Sequence, residues 1–349
     1  MATIKEVARA AGVSYTTVSH VLNRTRPVSD GARERVIAAA AELGYVPSAL
    51  ARSLKIKTTG TIGLIIPNNT NPYFSEVARG IEDSCYAAGY SVILCNSDDD
   101  PAKQRDYLNM LLSKRCDGLI VATLGEADGE LLRKMKVPAV LLDRARKDLA
   151  DDLAIDLVAV DNVGGGILAA EHLLALGCKR IACIGGPAEI VVSRERIAGL
   201  RQTLTQAHIT LSAALCVHGD FTSSGGYAAA CGLLDMAQSE RPDAIFCCND
   251  LMAIGALRAA AERNITVPEQ LAVVGFDDIH LAQFVHPTLT SVAQNTRRLG
   301  QLTAECLLAR IARPDLASQQ HTIAPELHVR GSTMSAIGGV NLVRENKNN

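Results

Sequence analysis

The sequence predicts an all-α helix-turn-helix head joined to an α/β body of two lobes, each a doubly wound parallel sheet. Three observations carry this. The first sixty residues hold short helical patterns around a Gly-containing turn. From residue 61 onward, short apolar runs alternate with amphipathic ones, which is the mark of a parallel sheet. Charge is also divided unevenly. Residues 1–60 hold nine Lys/Arg against four acids, a net +5, while the whole chain is −2, leaving −7 for the rest. A basic head on an acidic body is the layout expected when only the head meets phosphate.

In the head, Thr3 to Glu6 reads as a capping box, with the hydroxyl capping the helix and the carboxylate reaching back. That helix runs to about Ala11, and Gly12 permits the turn. Ser14 caps a second helix, Tyr15 to Leu22, with Val18, Val21 and Leu22 on one face. Tyr15, Thr16 and Ser19 occupy the other face, where hydroxyls and a phenol can meet base edges in a major groove. Ser29 caps a third helix ending near Gly44. A generic three-helix bundle with solvated faces has the same pattern, so the linker is decisive.

Pro47–Lys55 is a short helical stretch with a Ser cap, followed by a polar linker to Gly60. The runs TIKEVARAAGVS, TTVSHVLN, VS, ELGYVPSALARSLK and TIGLIIP stand in the order and spacing of the lactose-repressor (LacI/GalR) family. The chain resembles that family to about Thr333. The resemblance implies a helix-turn-helix domain over 1–46, a hinge helix and linker over 47–60, and a two-lobed effector-binding and dimerisation domain over 61–334. A polar tail, 335–349, follows. Residues 48–55 are too few for a stable isolated helix. By the resemblance they fold when paired with their twin on DNA, and Leu54 wedges into the minor groove and kinks the duplex. Arg52 and Lys55 are then expected to serve phosphates.

In the body, ligands of open α/β sheets bind beyond the carboxyl ends of the strands. Asn71, Tyr73 and Phe74 follow the first expected strand, and Asp143 and Arg144 follow Ala139–Leu142. Phe221 follows Cys216–His218, Asn249 follows Ala244–Cys247, Phe276 and Asp277 follow Leu271–Gly275, and Gln294 follows Leu289–Val292. Flat apolar rings beside acids, amides and Arg suit a sugar, whose C–H faces stack and whose hydroxyls bond in pairs. Taken singly, each position reads equally well as a helix cap or an interlobe contact.

The body is also similar to periplasmic sugar-binding proteins, the ribose-binding kind above all. That similarity implies a two-lobed periplasmic-binding-protein-like fold, with crossovers near 161, 292 and 322. It adds Arg196 to a ring of Asn71, Tyr73, Phe74, Asp143, Arg144, Phe221, Asn249, Asp277 and Gln294. Among regulators, ribose operon repressors and the purine repressor resemble the chain most, through ALARSLK, GYSVILCN, KRCDGLIV and GDF. Purine repressors carry an Arg and a Thr where this chain has Ile190 and Val192. The implied function is a repressor of a sugar operon, ribose first, released from a palindromic operator by its effector. The alternative is a repressor that needs a purine corepressor.

Other classes fit less well. Gly164-Gly165-Gly166 lacks the spacing and the Lys of a phosphate loop and reads as close helix packing. No Ser/His/Asp or Cys/His arrangement is discernible, so neither an enzyme nor a cofactor is expected. The ten Cys show no metal spacing and read as reduced core residues. No signal peptide is discernible at MATIKEVARA, which argues against a transport receptor and for a cytoplasmic protein. The tail has no leucine heptads, so a homodimer is expected, two hinges meeting over one palindrome.

Overall fold

The computed structural model describes residues 2–23, 25–45, 58–123, 126–144, 150–151 and 154–334. The expected hinge helix, with Arg52, Leu54 and Lys55, and the tail after 334 lie outside the described residues. The chain divides into two compact units, Met1–Gly60 and Thr61–Asn349.

The head contains α1 (Ile4–Ala11), α2 (Tyr15–Asn23) and α3 (Asp30–Glu42). The capping box forms as the sequence predicts: the Glu6 carboxylate accepts from the Thr3 amide at 2.7 Å, and the Thr3 hydroxyl accepts from the Glu6 amide. Gly12 takes a left-handed φ of 65°, which turns the chain directly into α2. Ser14 Oγ accepts from the Thr17 amide at 3.1 Å. Ser29 stands at the cap position of α3 but makes no side-chain capping bond. Val7, Val18 and Val36, one from each helix, are fully buried and form the centre of a small core. Arg35 Nε donates to the Ala11 carbonyl at 3.1 Å, tying α3 to the end of α1.

The body holds two six-stranded sheets. The first is ordered β11-β5-β4-β3-β1-β2, from β1 (Thr61–Ile66), β2 (Ser91–Asn96), β3 (Gly118–Val121), β4 (Ala139–Leu142), β5 (Asp156–Val160) and β11 (Gln320–Ile323). Its pairings are all parallel. The second is ordered β12-β10-β9-β8-β6-β7, from β6 (Ile181–Gly185), β7 (Cys216–His218), β8 (Ala244–Cys247), β9 (Ala272–Asp277), β10 (Thr290–Ala293) and β12 (Glu326–His328). β12 runs antiparallel to β10, a departure from the wholly parallel expectation. The chain enters β12 directly from β11 of the other sheet, with no helix between them to turn it parallel to β10.

Helices lie between the strands: α4 (Pro72–Ala87), α5 (Pro101–Ser113), α6 (Glu126–Met135), α7 (Asn162–Ala175), α8 (Val191–Gln206), α9 (Ser223–Leu234), α10 (Asp250–Glu262) and α11 (Thr296–Ala312). The chain passes between lobes after β5, after β10 and after β11. Each central strand is buried on both faces, as in β3, β4, β6 and β8, which explains their unbroken apolar runs. The glycine run does pack helices. A Cβ on Gly166 would lie 2.1 Å from the Arg196 carbonyl oxygen, and one on Gly199 would lie 2.0 Å from that of Val163. The backbones of α7 and α8 therefore touch, and this contact fixes the height at which α8 presents Arg196.

Candidate effector-binding site

Asn71, Tyr73, Asp143, Arg144, Arg196, Phe221, Asn249 and Asp277 line one narrow cleft, together with Val192, whose free volume of about 10 Å³ is room for a single water. Phe74 and Gln294, the other two expected residues, stand directly behind it. The Phe74 ring centre is 4.9 Å from the Arg144 guanidinium, and Gln294 Nε2 donates to Asp277 at 2.6 Å. Strand ends from both sheets thus supply the walls, so neither lobe holds the site alone.

Each residue is delivered by a local device. Asn71 and Asn249 cap α4 and α10, accepting from the amides of Tyr73 and Met252. The capping role that the sequence left open for both is real. Asn249 also donates to the Phe221 carbonyl at 3.0 Å, which fixes the loop bearing that ring. Asp143, Phe221 and Asp277 all have positive φ, at 55°, 63° and 112°. Each therefore stands on backbone that non-glycine residues rarely adopt. Tyr73 meets Phe74 edge-on, with ring centres 4.9 Å apart, so it offers the cleft its hydroxyl rather than a stacking face.

The charged groups form two layers. Arg196 is 3 % exposed, and its guanidinium lies 3.7 Å over the Phe276 ring. It donates to Asn162 Oδ1 at 2.9 Å, to the Cys248 carbonyl at 2.6 Å and to Asp277 at 3.4 Å. Burial is the main influence on Asp277 and raises its carboxyl to about 7, with the charge of Asp143 adding to it. The long contact to Arg196 pulls the other way without cancelling burial. Arg144, reaching in from the first lobe, lies 5.0 Å from the Phe221 ring centre and pairs with Asp99 at 3.1 Å.

Several polar atoms here are buried without partners: both Asp143 carboxylate oxygens, the Tyr73 hydroxyl and Gln294 Oε1. Tyr73 and Asp143 face each other closely enough to perturb the phenol, yet make no well-formed bond. Buried polar groups in native proteins are normally paired with protein or with ordered water, and here four such atoms lie together.

Sequence reasoning missed Asn162 and Asp99. Asn162 bridges Glu195 and Arg196 from the first interlobe passage, and it follows the end of β5, so the strand-end rule could have found it. Asp99 lies in an exposed acidic loop with no sequence signal. Among the described residues no group of His, Cys, Asp and Glu could hold a metal ion, and no helix is long and apolar enough to cross a membrane.

A three-helix head joined to a two-lobed α/β body is the architecture of a DNA-binding regulator. The model of the bacterial regulatory proteins, lacI family, matches residues 3–48, and that of the periplasmic binding protein-like domain matches 170–333. The chain is 41 % identical over 346 residues to the HTH-type transcriptional repressor PurR of Haemophilus influenzae (strain PittEE), covering 97 % of this chain and all of that protein. Its fold matches the lac repressor dimer bound to operator and the anti-inducer ONPF, with a TM-score of 0.85 and 31 % identity over 96 % of this chain and 99 % of that one. A LacI family regulator from Enterococcus faecium with bound ribose matches with a TM-score of 0.70 and 33 % identity over 78 % of this chain and 98 % of that one. The chain belongs to the LacI family and is a DNA-binding transcriptional repressor, not an enzyme.

Proposed function

We propose that this repressor is released from a palindromic operator by a small aldose, ribose first, as a homodimer. The observation that carries the ligand class is the set of orphaned acceptors. Sugar hydroxyls are donors, and Asp143 lines the cleft with unpaired acceptor oxygens, backed by Gln294 Oε1, beside an Arg144 guanidinium stacked between Phe74 and Phe221. Closure of both lobes on the ring shifts the population toward a state in which the paired hinges separate. The 41 % identity to PurR proteins favours a second reading, a purine corepressor. Val192 and the half-buried Ile190 give a base no polar partner at the start of α8, which favours the sugar. Calorimetry with ribose and with hypoxanthine, then operator titration with each, separates the two. Heat from hypoxanthine alone, with tighter operator binding, would overturn the aldose assignment.

The carboxyl of Asp277 adds a signature. In the free protein it holds its proton up to about pH 7. Hydroxyls donating to it favour the ionised form, so binding releases a proton. Below about pH 7 affinity should therefore fall, by up to about tenfold per pH unit, and above it should level. The same raised value makes the unliganded fold lose stability as pH rises from about 4 to 7, because the folded state then holds the extra proton. Calorimetry in buffers of different ionisation enthalpy measures the proton directly; a binding heat independent of buffer would sink this account.

On DNA, Tyr15, Thr16 and Ser19 are proposed to read bases, with Ser14 at the same end of α2. Tyr15 is 63 % exposed and Thr16 is exposed beside it, whereas Val18 is buried in the head. Tyr15→Ala and Thr16→Ala should each cost about 1–3 kcal/mol at one operator position and change the preferred sequence. Site selection with both variants recovering the parent sequence would refute it. Arg52, Leu54 and Lys55 are proposed for phosphate contact and the central kink. Leu54→Ala should weaken the specific site while leaving effector binding intact.

A further inference from the structure

Three of the ten cysteines, scattered at positions 183, 216 and 248, meet in the second lobe. Cys183 in β6 and Cys216 in β7 are directly paired across adjacent parallel strands. The Cys248 amide extends the next strand along β6, donating to the Ile184 carbonyl at 2.9 Å. The Cys183 thiol lies close enough to the other two sulfurs for both to perturb it. Neighbouring strands lie about 4.8 Å apart, inside the Cα separation a disulfide spans.

The surroundings differ for each thiol. Cys183 and Cys248 are wholly buried, whereas Cys216 is half-buried on the edge strand. The neighbouring Cys183 thiol holds the Cys216 thiol below its ordinary value, and the cationic Arg201 and the His218 ring assist against the cost of burial. Cys183 is pushed the opposite way, by the neighbouring Cys216 and Cys248 thiols and by burial, so it keeps its proton. Burial pushes Cys85, Cys178 and Cys306 up to about 11.

The geometry points to Cys216 as a peroxide-reactive thiol on the flank of the effector site, with Cys183 as its resolving partner. The Cys216 thiolate attacks one oxygen of hydrogen peroxide. The O–O bond breaks, hydroxide leaves, and Cys216 becomes a sulfenic acid. The Cys183 sulfur then attacks the Cys216 sulfur. The S–O bond breaks, and the hydroxyl departs with the Cys183 proton as water. In sum two thiols lose two electrons and one peroxide becomes two waters. The new bond ties β7 to β6 just ahead of Phe221, and a small thiol such as glutathione reverses it.

The test uses the full-length wild-type chain. It is treated with substoichiometric hydrogen peroxide, quenched with an alkylating reagent, digested and mapped by mass spectrometry. The expected first product is a peptide pair joined through Cys183 and Cys216, lighter by two hydrogens, with the remaining thiols alkylated. In Cys183→Ser, a sulfenic acid at Cys216 should accumulate and be trapped by dimedone. In Arg201→Gln, oxidation at Cys216 should slow several-fold. Oxidation of half-buried Cys178, Cys231 or Cys306 as fast as Cys216 would overturn the assignment. So would a wild-type sulfenic acid persisting beside free Cys183, or a bridge to Cys248. The wild-type competition decides the matter even if a variant fails to fold.

Discussion

Asp143→Asn is expected to make the unliganded protein more stable and to abolish its response to effector. Asp143 is 3 % exposed, and neither carboxylate oxygen has a partner. A buried polar group left unmade costs about 1–3 kcal/mol, more when charged. Asn keeps the shape and, unlike most residues, tolerates the φ of 55° at this position, so the substitution removes charge with little added strain. Relief of about 1–2 kcal/mol corresponds to a rise in Tm of a few degrees for a body of this size. Two charge-assisted bonds to ligand hydroxyls are lost together, about 3 kcal/mol or more, so affinity should fall at least about a hundredfold. Operator binding without effector should be unchanged, giving a repressor that stays on its site. Scanning calorimetry and operator titration read the two halves separately. A variant that melts lower than the parent and still binds effector would show that Asp143 is a structural residue.

Arg196→Ala should lower stability and effector affinity together. The guanidinium is the meeting point of Asn162, the Cys248 carbonyl and Asp277, and it covers the Phe276 ring. Removing it leaves buried acceptors bare and opens a cavity, a combination that costs about 3–5 kcal/mol. Asp277 limits the loss, because without its cation the carboxyl keeps its proton to still higher pH. Arg196→Lys should rescue little, since an ammonium cannot bond Asn162, Cys248 and Asp277 in one plane. Urea denaturation of the unliganded variants measures the first effect, and calorimetry with ribose the second. A midpoint equal to the parent would mean that the buried network contributes nothing to the fold.

Much of this architecture was legible because local chemistry and global fold agree. The Thr3–Glu6 box and Gly12 specify α1 and its turn within a few residues, so no distant contact was needed to read them. Central strands such as β4 and β8 show as apolar runs because both faces are covered. β11 and β12 were not read. They are short, partly exposed edge strands with polar sequences, QHTI and ELH, and they exist only because a strand already in place offers them its edge. Phe276 and Asp277 were expected just beyond a strand, whereas β9 continues through both.

For the site, the sequence by itself determined the candidate residues, since the topology of an α/β sheet forces functional groups to strand ends. The family resemblance supplied Arg196. What only the tertiary structure decided is how those groups are shared. The capping roles of Asn71 and Asn249, the edge-on Tyr73, the clasp of Asn162 on Arg196 and the orphaned oxygens of Asp143 depend on angles and burial. The pairing of Cys183 with Cys216 depends on strand register. Hydrogen bonding and titration respond to ångström separations and to exclusion of water. Those are set when two sheets and three crossing segments pack, and no local run of residues encodes them.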